Sequence, residues 1–280
     1  MKFLLTAINA KFIHSNPAIY SLRAGVGEKL QPYVELAEFT INESPESILE
    51  GIWKRQPKVI GFSCYIWNWK LIREILTELP KILPDTEIWL GGPEVTYDGP
   101  GLLREFPQVT GIMVGEGEVT FREVLDHYVR ETETAGQSEQ QPESGSIEQQ
   151  AADRTGTLAG KSVAERFGQI PGLCLASGYT APRELTDLTT LPFLYEDMEP
   201  FTNRIIYYET SRGCPYRCSY CLSSIDKKVR LRDIDVVKRE LQFFLDQNVK
   251  QVKFIDRTFN CDHKHAMEIW EYIYKHDNGV

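Results

Sequence analysis

Val59-Ile60-Gly61-Phe62-Ser63, the helical period of Trp69–Leu83 and the run Glu87-Ile88-Trp89-Leu90 read as one strand–helix–strand unit. Both short runs are apolar almost throughout, as strands covered on both faces must be. The pattern extends outward on either side. Further apolar runs occur at Phe3–Ile8, Val34–Glu38 and Gly111–Val114, and further helical periods at Ile19–Leu30 and Val119–Val129. Five strands separated by helices predict a doubly wound parallel α/β sheet over residues 1–130. In such a sheet a ligand binds over the carboxyl ends of the strands, near the point where strand order reverses.

The rest of the chain divides by composition. Residues 131–165 are rich in Gln, Glu, Ser, Gly and Ala; so few large apolar residues cannot offset the entropy of ordering, which predicts a disordered insertion. Residues 166–200 read as a hairpin, Gly172–Tyr179, followed by an extended connector carrying Pro192 and Pro200. A second β/α pattern fills 201–280: strand Arg204–Glu209, helix Ile234–Gln247, strand Gln251–Asp256 and helix Lys264–Lys275. Two such units match the start of a TIM-type barrel, whose chemistry sits on loops after its strands. The sequence stops where another strand should follow, so a fragment of a longer protein is expected.

Composition narrows the functional classes. The 280 residues are 42% hydrophobic and 25% charged, the balance of a soluble globular protein. No apolar run approaches the roughly 20 residues of a membrane span. A net charge of −9 argues against a general nucleic-acid surface. Six cysteines, three of them clustered, suit a reducing cytoplasm better than a disulfide scaffold.

That cluster is Ser211-Arg212-Gly213-Cys214-Pro215-Tyr216-Arg217-Cys218-Ser219-Tyr220-Cys221, on the loop that leaves the first strand of the second pattern. Three thiolates on one short loop can hold three irons of a 4Fe–4S cubane and leave the fourth open, whereas clusters that only carry electrons usually have four cysteines. Structural zinc is the alternative, but no nearby Cys or His pair completes four ligands. Cys261, His263 and His265 read as a helix start with Asp262 near its cap, and Cys64 and Cys174 as buried thiols.

The Cys-x3-Cys-x2-Cys run, with Tyr220 before its last cysteine, resembles the motif of the radical S-adenosylmethionine (SAM) enzymes. Four loops of the first pattern precede it: Asn9–Asn16, Phe62–Tyr65, Gly91–Glu94 and Gly115–Glu118. In that order the five segments resemble the cobalamin-binding radical SAM family. The resemblance implies a Rossmann-like cobalamin-binding domain, lined by Asn9, Ser63, Gly91, Gly92, Gly115, Glu116 and Gly117, ahead of the radical SAM barrel. Cys214, Cys218 and Cys221 would ligate the cluster, Tyr220 would lie near the SAM adenine and Asp256 near its amino group. The cofactors implied are the 4Fe–4S cluster, SAM and cobalamin, and the partner an external electron donor such as flavodoxin or ferredoxin. No membrane or nucleic acid is implied. The reaction implied is methyl transfer to an unactivated carbon or phosphorus; a non-methylating cyclisation or rearrangement, or a cofactor-binding module without activity, are the alternatives. The substrate is left open, and no catalytic residue is assigned.

One departure from the pattern matters. Many cobalamin-binding folds carry Asp-x-His-x-x-Gly after the first strand, the histidine ligating cobalt. Here the matching positions are Asn9-Ala10-Lys11. Cobalamin bound without a histidine ligand is therefore expected, with His14 hydrogen-bonded within its own loop.

Overall fold

The computed structural model describes residues 1–138, 161–225, 228–276 and 279. The chain forms two compact units, one of Met1–Phe12 and Ala18–Leu185, the other of Ile13–Pro17 and Thr186–Val280.

The first unit is built on a parallel sheet of β1 (Phe3–Asn9), β2 (Val34–Thr40), β3 (Val59–Ser63), β4 (Glu87–Gly91) and β5 (Val109–Met113) in the order β2-β1-β3-β4-β5. Every residue of β1 is buried, as a central strand covered on both faces requires. Alternate side chains divide between two cores. Leu4, Ile8, Ile60, Phe62, Ile88 and Leu90 pack with Ile48 and Ile52 of α2 (Pro45–Trp53) and with Ile72, Ile75, Leu76 and Leu79 of α3 (Trp69–Ile82). Phe3, Leu5, Ala7, Val59 and Trp89 face the other way. They meet Ile19 of α1 (Pro17–Gly25) and Phe121, Val124 and Leu125 of α5 (Gly117–Ser138). Strand periodicity of two thus assigns each side chain to one layer of helices. The short α4 (Gly99–Glu105) joins β4 to β5.

Three features differ from expectation. The sheet has seven strands, because the hairpin of β6 (Leu173–Leu175) and β7 (Gly178–Tyr179) adds antiparallel to β5. Without it β5 would present an open, apolar edge; Leu173, Cys174 and Leu175 cover that edge and are themselves buried. Second, α1 ends at Gly25 rather than continuing to Leu30; the turn that follows has Gly27 at φ +76°, a left-handed conformation that stops a helix.

The third concerns 131–165, whose middle, 139–160, lies outside the described residues. At its edges there is structure: α5 runs on to Ser138, and α6 (Val163–Phe167) opens with a capping box between Ser162 and Glu165. Arg166 ties those edges together. Its side chain, 2% exposed, bonds Glu131 of α5 through Nε at 3.0 Å and Nη2 at 2.8 Å, and Glu87 of β4 through Nη1 at 3.1 and 3.0 Å. The guanidinium also lies over the rings of Tyr128 and Phe167, at 5.2 and 4.7 Å from their centroids.

In the second unit β8 (Ile206–Tyr208) pairs parallel with β11 (Val252–Phe254), and α7 (Ile234–Asp246) makes the crossover between them. α8 (His263–His276) follows β11. This is the β/α pairing expected of a barrel's first two units. A small antiparallel pair, β9 (Ser211–Arg212) with β10 (Arg230–Leu231), brackets the cysteine loop. Along the free edge of β8 runs a short piece of the Asn9–Asn16 loop, where His14 bridges Ile205 and Ile205 N donates to Ile13 O. The connector that follows the hairpin divides after Leu185, its later part belonging to the second unit.

Candidate functional site

Strand order in the first unit reverses between β1 and β3, so their carboxyl ends open a crevice at a topological switch point. Asn9 ends β1 and Ser63 ends β3. Gly91 lies beside Ser63 in the sheet register, and Gly115, Glu116 and Gly117 follow β5, so the expected cobalamin-lining residues share this edge. Asn9 is buried; its Nδ2 donates to Glu38 Oε1 at 2.8 Å, while Tyr20 Oη donates to Glu38 Oε2 at 2.7 Å.

The rigid centre of this edge is Asn68, which sequence reading overlooked. Wholly buried, it donates from Nδ2 to the carbonyls of Ile8 (3.0 Å) and Ser63 (2.9 Å) and accepts from Tyr65 N at 2.8 Å. One amide thus staples the two strand ends that frame the crevice. Its position just before α3 reads as an ordinary helix cap; the side chain makes no cap hydrogen bond and serves the strands instead.

Two glycines here have a backbone reason. Gly92 sits at φ +107°, and a Cβ there would come within 2.5 Å of Cys64 O. Gly115 adopts φ +81° with open space around its missing Cβ. Gly91 meets no such constraint.

The loops at the mouth also carry apolar surface. The rings of Tyr65 and Trp67 stack at 4.4 Å and 8°. Ile66 is 81% exposed, and Phe12, Trp67 and Tyr97 are exposed as well. Large apolar side chains gathered at a strand-end crevice mark a ligand surface rather than a solvated loop. A broad, flat macrocycle fits that chemistry.

The second site is the cysteine loop. It leaves β8 at the carboxyl end, where a β/α barrel carries its chemistry. Gly213, at φ +95°, turns the chain into the loop, and Cys221 N donates to Cys218 O at 3.1 Å. None of the three thiols is in a disulfide and all are partly exposed, a soft sulfur donor set that suits an iron–sulfur cluster. Among the described residues no group of three or more Cys, His, Asp or Glu side chains is gathered to hold a metal ion. Tyr220 stands 90% exposed beside them.

Asp256 lies just past the end of β11 as expected, and its carboxylate is engaged. It accepts from Thr210 N at 3.2 Å, Thr210 Oγ1 at 2.7 Å and Ser211 Oγ at 2.6 Å, so it anchors the root of the cysteine loop. Two residues farther on, Thr258 Oγ1 lies 3.2 Å from Cys214 Sγ. Beneath the loop, Tyr208 Oη donates to Glu240 Oε2 at 2.6 Å and Arg232 to Glu240 Oε1 at 2.8 Å, binding β8 to α7. Burial raises the Glu240 carboxyl, although Tyr208 and Arg232 pull it back.

The remaining expectations divide. The partner found for His14 is distant in sequence: Nδ1 pairs with Tyr207 Oη on β8. A strand-like path along β8 carries the imidazole to that hydroxyl, so this bond reaches beyond the loop. Asp262 Oδ1 accepts from His265 N at 2.9 Å at the start of α8, as a cap does. Cys64 and Cys174 are buried, and burial pushes the Cys64 thiol far above its ordinary range. Among the described residues no helix is long and apolar enough to cross a membrane.

The B12 binding domain family matches residues 4–125. The chain is 26% identical over 234 residues to the 2-(S-pantetheinyl)-carbapenam-3-carboxylate methyltransferase of Streptantibioticus cattleyicolor, covering 78% of this chain and 30% of that protein. It is 27% identical over 226 residues to the cobalamin-dependent radical SAM methyltransferase TokK of Streptomyces tokunonensis, covering 73% and 28%. The cobalamin-dependent radical SAM enzyme OxsB, solved with aqua-cobalamin and SAM bound, shares the fold at TM-score 0.68 and 17% identity, over 99% of this chain and 38% of that one. The chain spans about a third of the length of the curated relatives it matches. The crevice at the β1/β3 switch point falls inside the matched B12 binding domain, and over most of its length the chain is similar to methyltransferases, one of them a cobalamin-dependent radical SAM enzyme.

Proposed function

We propose that this chain is the cofactor-holding part of an enzyme that moves a methyl group from SAM, by way of cobalamin, to an unactivated carbon or phosphorus. The observation that carries the reading is the pairing of two sites in one chain: a switch-point crevice with an apolar mouth, and a three-cysteine loop at the end of a first barrel strand.

In this reading Cys214, Cys218 and Cys221 hold three irons of a 4Fe–4S cluster and leave one position for SAM. The cluster supplies a low-potential electron, SAM the methyl and adenosyl groups, and cobalamin the methyl carrier. Asp256 holds the cysteine loop to β11 through Thr210 and Ser211, and Tyr220 offers a flat apolar face to the adenine. Asn9, Ser63, Gly91, Gly92, Gly115, Glu116 and Gly117 line the cobalamin crevice. Asn68 keeps its two central strands in place, and the Tyr65–Trp67 stack offers an apolar face at its mouth. With Asn9-Ala10-Lys11 where a ligating histidine would sit, these positions would offer bound cobalamin no imidazole. A reducing, cytoplasmic setting and an external donor such as flavodoxin or ferredoxin belong to the same proposal, in keeping with six cysteines that form no disulfide.

The test needs no substrate. The full-length protein, reconstituted anaerobically and given SAM and a strong reductant, is expected to form S-adenosylhomocysteine only when loaded with cobalamin. 5′-Deoxyadenosine without S-adenosylhomocysteine would replace methyl transfer with a non-methylating radical reaction.

A further inference from the structure

Thr258 is not part of the cysteine loop. It comes from the turn after β11, 44 residues beyond Cys214, yet its hydroxyl lies 3.2 Å from the Cys214 sulfur. Several contacts fix it there. β11 is in register with β8, Phe254 opposite Tyr208, and Ile255 N continues the ladder to Tyr208 O at 2.9 Å. Asp256 then grips Thr210 and Ser211 at the root of the loop. Cys261 N closes the turn on Thr258 O at 3.0 Å. The hydroxyl is therefore delivered to the sulfur by the strand pairing itself.

As a free thiol, either Cys214 or Thr258 can donate across this contact. A cysteine that ligates iron has lost its proton, and its sulfur can then only accept. The Thr258 hydroxyl becomes the donor. A hydrogen bond to a ligating sulfur draws charge off the cluster, which favours the more negative, reduced state and raises the reduction potential.

We propose that Thr258 is a positioning residue of this kind: it donates to the cluster-ligating sulfur of Cys214 and sets the potential at which the cluster accepts its electron. The inference rests on the cluster reading of the cysteine loop given above. Thr258→Val keeps the branched shape and removes the hydroxyl, whereas Thr258→Ser keeps the donor.

The experiment is a redox titration of the full-length protein, reconstituted with iron and sulfide and followed by paramagnetic resonance of the reduced cluster. At the wild-type midpoint, Thr258→Val is expected to show an oxidised-to-reduced ratio about tenfold higher, a shift of about 59 mV to lower potential for one electron. Thr258→Ser should titrate with the wild type. Should Thr258→Val fail to hold iron, Thr258→Ala supplies the same comparison. Equal iron and sulfide contents with an unchanged midpoint in the hydroxyl-free variant would overturn the role of Thr258 and leave the cluster intact. Wild-type protein that takes up no cluster would overturn the reading of the loop, and this inference with it.

Discussion

Replacing Cys214, Cys218 and Cys221 together by Ala is expected to abolish the broad visible absorption of protein reconstituted with iron and sulfide alone. On the proposed reading each of the three sulfurs would hold a different iron, so without them no protein ligand would remain for the cubane. Cys64, Cys174 and Cys261 offer no substitute. The first two are buried in the first unit, and Cys261 is a single thiol in the turn before α8, one ligand where a cubane needs three. The fold should survive, because the three positions are partly exposed and pack in no core. Circular dichroism should therefore match the parent while the absorption disappears. A full cluster spectrum in the triple variant would reject these ligands.

The largest effect on stability is expected from Arg166→Ala. The change leaves the Glu87 and Glu131 carboxylates, whose side chains are 19% and 18% exposed, without the cation that bridges them. It also strips the guanidinium from over Tyr128 and Phe167. Breaking a buried ion pair from one side costs about 3–5 kcal/mol, and equilibrium denaturation should read a loss of that order. A loss under about 1 kcal/mol, the level of an exposed pair, would contradict the clamp.

The same network predicts a pH dependence. Burial alone would raise the Glu131 carboxyl, but hydrogen bonds and charge from Arg166, with a smaller contribution from His127, outweigh it and hold the group below its ordinary range. A carboxyl lowered on folding adds stability above its unfolded value, near 4.3, and that stability is lost as pH falls through the folded value. The parent should therefore lose stability over that acidic window more steeply than Arg166→Ala.

How much of this was legible in the sequence follows from the range of each interaction. Four of the five parallel strands announce themselves because each is a short run buried on both faces, while β2, at the edge of the sheet, is only partly buried. The hairpin is locally visible as Gly172–Tyr179, but its place in the sheet is not. Pairing with β5 is settled by an edge some 60 residues earlier that needs covering. The cysteine loop is a local signal and reads directly. What holds it is not local: Asp256 reaches back 46 residues to Thr210 and Thr258 reaches 44 to Cys214. Arg166 looks like the edge of a polar tract until the structure brings Glu87, 79 residues distant, against it. Asn68 was hidden differently, since Asn before a helix already has a sufficient explanation as a cap.

One measurement bears on the central claim more directly than the rest: the iron, sulfide, zinc and cobalt retained by the full-length protein after anaerobic reconstitution with iron, sulfide and cobalamin and removal of unbound material. The account predicts about four iron and four sulfide per chain, with cobalt retained alongside them and zinc absent. Zinc held without sulfide, or a chain that keeps its iron but no cobalt, would contradict it.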